Sequence, residues 1–564
     1  MKSYNRDEVF KKTLEYFKGD DLATNVWINK YSLKDSDGNI FELTPNDMHK
    51  RIAKEIARIE KNYKNPLSEE EIFDVIKNFK YIIPQGGPMT GIGNNLQVVS
   101  LSNCFVIGNE EDSYGSIMKT DEEQVQLMKR RGGVGHDISH LRPNKTPVKN
   151  SAITSTGLVS FMDRYSNSTR EVGQDGRRGA LMLSCSIKHP DAEGFMDAKM
   201  VDGKVTGANI SLKLDDDFMK SAISNGKYTQ QYPIVSDNPI LKKEVESTKL
   251  FNKIVHNAWK SAEPGILFWD TIIRESVPDC YSEFGFKTTS TNPCGEIPLC
   301  PYDSCRLLAL NLYSYVENKF TKNAKFNFDL FKKHAKISQR IMDDIIDLEL
   351  EKIDQILEKI ENDPEQDRIK LTEKELWTNI QDKALKGRRT GIGVTAEGDM
   401  LAALGYRYGT KEATNFSTEV HKVLAINVYK SSCLLSKERG TFDIFDSELE
   451  KNNPLIKRLS ESDEELAQLL KEGRRNIALL TIAPTGTVSL MTQTTSGVEP
   501  AFRVAYKRRR KINPNDKDAR IDFTDTNGDC WEEYSMFHPK FLKWLKVKNY
   551  PQHQQKFLSQ LFDQ

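Results

Sequence analysis

Residues 291–305 read TNPCGEIPLCPYDSC. Cys294, Cys300 and Cys305 fall within this one stretch, next to Pro293, Gly295, Glu296 and Pro298. A structural zinc site takes four ligands, commonly paired at CxxC spacing. Here the gaps are five and four residues and no histidine is near, so no metal-ligand set is read. A disulfide scaffold belongs to short secreted chains dense in cysteine, whereas this chain has eight cysteines in 564 residues. The remaining readings are packed thiols and thiol redox or radical chemistry. Two prolines restrict the backbone around Cys294 and Gly295 lets it turn. The stretch therefore predicts a stiff loop that presents a thiol.

The rest of the chain sets the context. Its 81 basic and 81 acidic residues give a formal net charge of zero. That removes the electrostatic footprint of a dedicated nucleic-acid binder. No apolar run approaches the ~20 residues of a membrane span. The N-terminus, MKSYNRDEVFKKTLEYF, is charged from the start and has no signal-peptide core. A soluble cytoplasmic protein is expected, with neither membrane nor nucleic acid as partner.

Residues 1–88 read as a helical domain. In TPNDMHKRIAKEIARIEKNY, Thr44 is an N-cap, Pro45 sits at the first helical position, and Ile52, Ile56 and Ile59 form an apolar stripe. LSEEEIFDVIKNF repeats the pattern, with acids in its first turn. Packing is the expected role of this domain. From residue 89 to 564, short runs rich in β-branched residues alternate with Gly-rich loops and helical patterns. Examples are NLQVVSLSNCFVIG, GALMLSCSIKH, VTGANISLKL and RRNIALLTIAPTG. This texture predicts an α/β architecture with mostly parallel pairing. Residues 326–387 are highly charged and helical in pattern, which predicts a solvated hairpin. The basic run YKRRRK at 506–511 reads as solvated surface.

Three loops have the composition to hold anions. RRGGVGHDISHLRP (130–143) is bracketed by Arg130, Arg131 and Arg142, and GQDGRRGA (173–180) is similar, although GxG patterns alone are weak signals. APTGTVS (483–489) follows the strand-like NIALLTI. A helix opening there would offer free amides, with the Thr485, Thr487 and Ser489 hydroxyls, as a phosphate cradle.

Taken together, these pieces resemble the catalytic subunit of ribonucleotide reductase. LSNCFVIG carries a first cysteine, TNPCGEIPL a second with a glutamate two residues on, and PYDSC a third, while APTGTVS resembles the family's substrate-phosphate loop. NPCGE, GGVG and TTSG (494–497) are most similar to the class II, adenosylcobalamin-dependent branch. The resemblance implies a ten-stranded α/β barrel with a finger loop at 291–305, and reduction of a ribonucleoside di- or triphosphate to its 2′-deoxy form. It implies Cys294 as the thiyl radical, Glu296 as the base for the 3′-OH, Asn292 as a holder of a ribose hydroxyl, and Cys104 with Cys305 as the redox disulfide pair. It places substrate at Asn103, Arg131, Gly133, Pro484, Thr485, Gly486, Thr487 and Ser489. Adenosylcobalamin is the implied cofactor and a dithiol such as thioredoxin the reductant.

The resemblance further implies a homodimer whose interface takes a deoxynucleotide or ATP effector, contacted by Asp112, Arg142, Gln174 and Arg178. Cys185, Cys300 and Cys433 are expected to be packed thiols. Two other readings stay open here: a class I subunit served by a separate metal-containing radical subunit, and a nucleotide-binding regulator without catalysis. Only 75 residues follow Ser489, with one cysteine, Cys530. An incomplete barrel, closed by a second polypeptide, is therefore expected, the alternative being a shortened barrel that closes on itself.

Overall fold

The computed structural model describes residues 2–108, 111–172, 179–511, 521–524 and 530–550. The N-terminal helices form as their caps and stripes dictate. Pro45–Glu60 starts at Thr44, whose backbone N–H donates to Asp47 Oδ2 at 3.1 Å, and it buries Ile52, Ile56 and Ile59. Glu69–Ile76 starts at Ser68, whose hydroxyl accepts from the Glu71 amide at 3.2 Å.

The larger part is built on two sheets that share one stretch of chain. In the first, the strand order is Ser304–Cys305, Cys104–Val106, Gly133–Asp137, Leu181–Ser186, Asn209–Leu214 and Gly265–Phe268. The opening pair is antiparallel and the other four pairings are parallel. In the second, Leu307–Asn311 lies between Ile82–Pro84, antiparallel, and Gly391–Thr395, parallel. The chain runs from Cys305 through Arg306 directly into Leu307–Asn311, so one segment stitches the sheets together. The mostly parallel α/β expectation is met. A closed ten-stranded barrel is not: among the described residues the outer edge of Gly265–Phe268 has no partner strand. The strand expected at NIALLTI is reduced to a parallel bridge between Leu480 and Ile392.

The helical stretch at 326–387 departs from the solvated hairpin. Phe328–Glu361 and Asp367–Gly387 are helices, but the first buries Phe331, Ile341, Met342, Ile345 and Leu348 in the main core. Its charges are internal as well. Arg439, from Lys411–Arg439, reaches Glu60 of the N-terminal domain at 2.6 Å, Asp343 at 2.9 Å and Asp344 at 2.8 Å. Arg340 meets Glu60 at 2.8 Å, and Arg388 also binds Asp343. Burial pushes the Asp343 carboxyl up, but Arg388, Arg475 and Arg439 outweigh it and hold it below the ordinary range. Burial leaves Asp344 raised, beside Glu60. Charge density in a sequence says nothing about whether opposite charges will meet inside the fold, and here they do.

YKRRRK is likewise ordered: Ala505–Lys511 pairs antiparallel with Cys530–Phe537. Among the described residues, no helix is long and apolar enough to cross a membrane.

Candidate active site

Ser290–Thr291 and Pro298–Leu299 form a short antiparallel ladder, so residues 292–297 make the tip of a hairpin. Gly295, at φ +80°, closes the turn and its amide donates to Asn292 O at 3.0 Å. Cys294 sits at this tip and is exposed, whereas Cys104 and Cys305 are buried. The cysteines thus divide into one accessible thiol and two enclosed ones.

Asn292 organises the tip. It is fully buried, its Nδ2 lies 2.6 Å from Glu296 Oε2 and 3.5 Å from Cys104 Sγ, and its Oδ1 accepts from the Ile297 amide at 3.1 Å. Burial raises the Glu296 carboxyl above its ordinary pKa, and the Asn292 amide only partly offsets this. Once deprotonated, a carboxylate held in this way is a stronger proton acceptor than an exposed glutamate. Thr481 fixes the Glu296 backbone by donating to its carbonyl at 3.0 Å.

Beneath the finger lies the Gly-rich strand Gly133–Asp137. A Cβ on Gly135 would stand 1.8 Å from Thr291 O, and one on Gly133 would meet Pro293 at 2.9 Å. The GGVG motif was expected to be an anion-holding loop. It is instead a bare strand surface on which the finger hairpin rests, and the glycines serve close backbone approach.

Cys104 and Cys305 are direct cross-strand partners of the antiparallel pair. Directly opposed residues stand about 4.5–5.5 Å apart at Cα, inside the range that a disulfide spans. Contact with Cys104 and burial raise the Cys305 thiol, favouring the protonated form. Behind Cys104, Glu349 of the 328–361 helix accepts from Ser100 Oγ at 2.5 Å, the Leu101 amide at 2.5 Å and Ser102 Oγ at 2.8 Å, which anchors the approach to the strand.

These groups share one cleft of about 280 Å³. Cys294, Glu296, Cys104, Asn103, Arg131, Pro484, Thr485 and Thr487 all line it. Arg131 enters with a left-handed φ of +75° at the end of the loop before the Gly-rich strand. Gly486 opens the Gly486–Thr492 helix at the cleft wall, and Ser489, one turn on, donates to Gly486 O at 2.8 Å. The hydroxyls of this loop are partly committed within the protein. Thr485 Oγ1 accepts from the Gly497 amide at 2.7 Å, and Thr487 Oγ1 lies 2.5 Å from Tyr31 OH. Asn292 sits just behind the cleft and Gly133 beneath it, and neither they nor Gly486, Ser489 and Cys305 are part of its lining.

The sequence reading missed Lys30, Tyr31 and Gln85, which reach the same cleft from the helical domain and its exit. That domain is more than packing. Nothing in its stripe pattern marks those residues, because Lys30 ends the helix Asp21–Lys30, Tyr31 is its C-cap, and Gln85 follows the strand Ile82–Pro84.

A second cavity, of about 350 Å³, is lined by Asp112, Tyr114, Arg142, Lys149 and Phe161 among others. Arg142 Nε binds Asp112 Oδ2 at 2.8 Å, and Tyr232 OH donates to the same oxygen at 3.1 Å. Gln174 and Arg178 lie outside the described residues. Cys185, Cys300 and Cys433 are buried.

Comparison with known proteins gives the family of the chain. Residues 102–517 match the family described as ribonucleotide reductase, barrel domain, and residues 17–86 match ribonucleotide reductase, all-alpha domain. Among curated proteins, the chain is 29% identical to a vitamin B12-dependent ribonucleoside-diphosphate reductase of Mycobacterium tuberculosis strain CDC 1551, over 86% of this chain and 62% of that protein. It is 29% identical to one of the same name from Thermoplasma acidophilum, over 86% of this chain and 64% of that one. It is 25% identical to a ribonucleoside-diphosphate reductase subunit alpha of Chlamydia pneumoniae, over 76% and 43%. The chain therefore spans less than two thirds of the length of these relatives. With its finger hairpin, opposed cysteine pair and helical domain arranged as described, and with 416 of its residues inside the matched barrel region (102 to 517, inclusive), the chain belongs to the ribonucleotide reductase family.

Proposed function

We propose that the chain reduces ribonucleotides to 2′-deoxyribonucleotides by thiyl-radical chemistry, as a class II catalytic subunit dependent on adenosylcobalamin. The observation that carries this reading is the division of three thiols about one cleft: Cys294 exposed at a finger tip, and Cys104 and Cys305 buried as cross-strand partners. The names of the relatives from Mycobacterium tuberculosis and Thermoplasma acidophilum support the cofactor. The residues fit it: a cofactor that acts from outside needs an accessible thiol, and Cys294 is the exposed one of the three. When bound, adenosylcobalamin supplies the one-electron oxidation that converts the Cys294 thiol to a thiyl radical.

The chain's own groups do the rest. The Cys294 sulfur takes the hydrogen atom from ribose C3′. Glu296 accepts the 3′-OH proton, and Asn292 holds it in place. The 2′-OH leaves as water with a proton from one thiol of the cysteine pair, the other thiol's hydrogen goes to C2′ as Cys104 and Cys305 give two electrons and close as a disulfide, Glu296 returns its proton to the 3′ oxygen, and Cys294 returns its hydrogen to C3′. The balance is one ribonucleotide and two thiols to one deoxyribonucleotide, one disulfide and one water. An external dithiol such as thioredoxin then reopens the disulfide.

Phosphates of a ribonucleoside di- or triphosphate would rest at the Thr485–Thr487 turn, with Arg131 and Lys30 as nearby cations. The Asp112–Arg142 cavity, with exposed Tyr114 in its lining, suits a deoxynucleotide or ATP effector at a homodimer interface. The edge of Gly265–Phe268, unpaired among the described residues and with Ile266 and Phe268 exposed, is where further strands would complete the barrel, from the same or a second polypeptide. The test is deoxynucleotide formation by the purified chain with dithiothreitol, with and without adenosylcobalamin. Product only with the cofactor supports the proposal. Product formed equally without it excludes the class II assignment.

A further inference from the structure

A third cavity, of about 330 Å³, lies where the C-terminal helix Pro539–Val547 meets the helix Glu397–Leu404. It shares no lining residue with the Cys294 cleft or the Asp112–Arg142 cavity. His538 latches the two elements, its Nε2 lying 2.8 and 3.0 Å from the Asp399 oxygens. The walls are aromatic: Phe320, Tyr406, Tyr408, Phe541 and Trp544. Several are pre-arranged in stacks. Trp544 lies on Phe541 at 5.7 Å between centroids and 14° between planes, and Tyr406 on Phe416 at 5.2 Å and 26°. Flat apolar faces of this kind accept a planar ring system.

One edge of the cavity is cationic. Lys540 is in its lining. Next to Phe320, the ring of Tyr313 has Lys319 Nζ and Lys540 Nζ each 4.9 Å from its centroid and Lys543 Nζ at 5.7 Å, and the Tyr313 and Phe320 rings are 6.2 Å apart. Among the described residues none of these three ammonium groups pairs with a carboxylate. Of the acids nearby, Glu317 is taken by Lys325 at 3.2 Å, and Asp399 holds His538 and accepts from the Thr495 amide at 2.8 Å. Cation–π contact with Tyr313 offsets only part of the repulsion among them. Burial, with the neighbouring lysines, pushes both Lys319 and Lys540 down to about 8. Among the described residues the three crowded cations thus have no carboxylate in ion-pair contact: Lys319 donates to the Val316 carbonyl, and Asp399 and Glu317 act on Lys540 and Lys319 only through space.

We propose that this cavity is a nucleotide site, taking the base of a nucleoside phosphate between its aromatic walls and the phosphate on Lys540, Lys543 and Lys319. The volume suits a nucleoside, since ligand pockets begin at about 300 Å³. Three ammonium donors match the charge of a phosphate chain through charge-assisted hydrogen bonds. The assignment does not depend on the reductase reading.

The test is photolabelling of the full chain with 8-azido-ATP, followed by peptide mapping. Saturable label is expected on the peptides holding Tyr406 and Tyr408 or Phe541 and Trp544, protected by ATP and much less by pyrophosphate. The Lys540→Gln/Lys543→Gln double variant should raise the half-saturating concentration there at least tenfold. Label at the Asp112–Arg142 cavity should persist and report an intact fold. Tyr408→Ala, at a half-exposed position, should weaken the same label several-fold without charge change. Absence of saturable label on these peptides, or half-saturation unmoved in both variants, overturns the proposal. Pyrophosphate protecting as well as ATP also overturns it, since the aromatic walls would then contribute nothing.

Discussion

Cys104 and Cys305 face each other across an antiparallel strand pair, with the Asn103 amide donating to Cys305 O at 2.8 Å beside them. Cross-strand opposition lets the pair close without moving the sheet. Diamide oxidation of the resting protein should therefore form one disulfide, between these two residues, while Cys185, Cys300 and Cys433 stay reduced in the core. Peptide mapping reads this directly. A dominant Cys294–Cys305 or Cys104–Cys294 bridge would contradict the division of roles. Cys104→Ser and Cys305→Ser should each abolish multiple-turnover product while substrate decomposition with base release remains.

Cys294→Ser should remove turnover and decomposition alike. The O–H bond is far stronger than S–H, so serine cannot carry the radical. Because Cys294 is exposed, the substitution leaves folding intact, and a melting temperature within about 1 °C of the parent is expected. Residual reduction above background would mean that another group starts the reaction.

Glu296 sets a pH limb. Its folded-state pKa is raised by burial, with Asn292 pulling the other way. A base must be deprotonated to work, so kcat should rise with pH through a midpoint above the ~4.3 of ordinary glutamate. For stability the sign is opposite: a raised pKa favours the folded state at low pH, and that contribution is lost as pH climbs through the folded value. Glu296→Gln should flatten the limb and lower kcat by roughly 10²-fold or more, with KM little changed. A change confined to KM would make Glu296 a binding residue.

Much of the candidate site was legible because its marks are local. The thiol loop needs prolines and a glycine around Cys294, the phosphate turn needs small hydroxyl residues, and both are contiguous in sequence. The GGVG stretch was misread because glycine admits an anion and a neighbouring backbone equally well, and only the 1.8 Å approach to Thr291 O tells them apart. Lys30 and Tyr31 were invisible because their place in the cleft depends on how a separate domain docks. The 328–361 helix was taken for solvated surface because its acids meet Arg388, Arg439 and Arg475 from three distant points of the chain. Long-range charge pairing has no sequence period.

That buried network makes a stability prediction. Arg439 is fully buried and binds Glu60, Asp343 and Asp344 at once. Arg439→Met keeps bulk but strands those carboxylates, and breaking a buried pair from one side costs about 3–5 kcal/mol. Urea unfolding, with the midpoint shift converted through its slope, should show a loss of that size. A loss under about 1 kcal/mol would mean that water or rearranged arginines replace the missing charge.

Gly135 supplies the most direct test of how the finger is held. Its strand is central and parallel-paired on both sides, so the backbone there has little freedom to retreat. A Cβ at this position would collide with Thr291 O, a backbone atom of the finger hairpin rather than a flexible side chain. In Gly135→Ala the hairpin must therefore lift from the sheet, carrying Cys294 together with Asn292 and Glu296 away from Cys104 and Thr481. The overpacking penalty should be about 1–3 kcal/mol. The kinetic effect should be larger than that loss suggests, because a displacement of about 1 Å at a reacting group can lower rate about 10²-fold. Gly295→Ala is the companion. Its Cβ meets nothing, but its φ of +80° disfavours an L side chain. That variant should lose about 1 kcal/mol through local strain and keep more activity. Measured kcat and melting temperature for both decide the matter. If Gly135→Ala keeps near-parent kcat while Gly295→Ala loses it, the turn and not the strand floor positions the thiol.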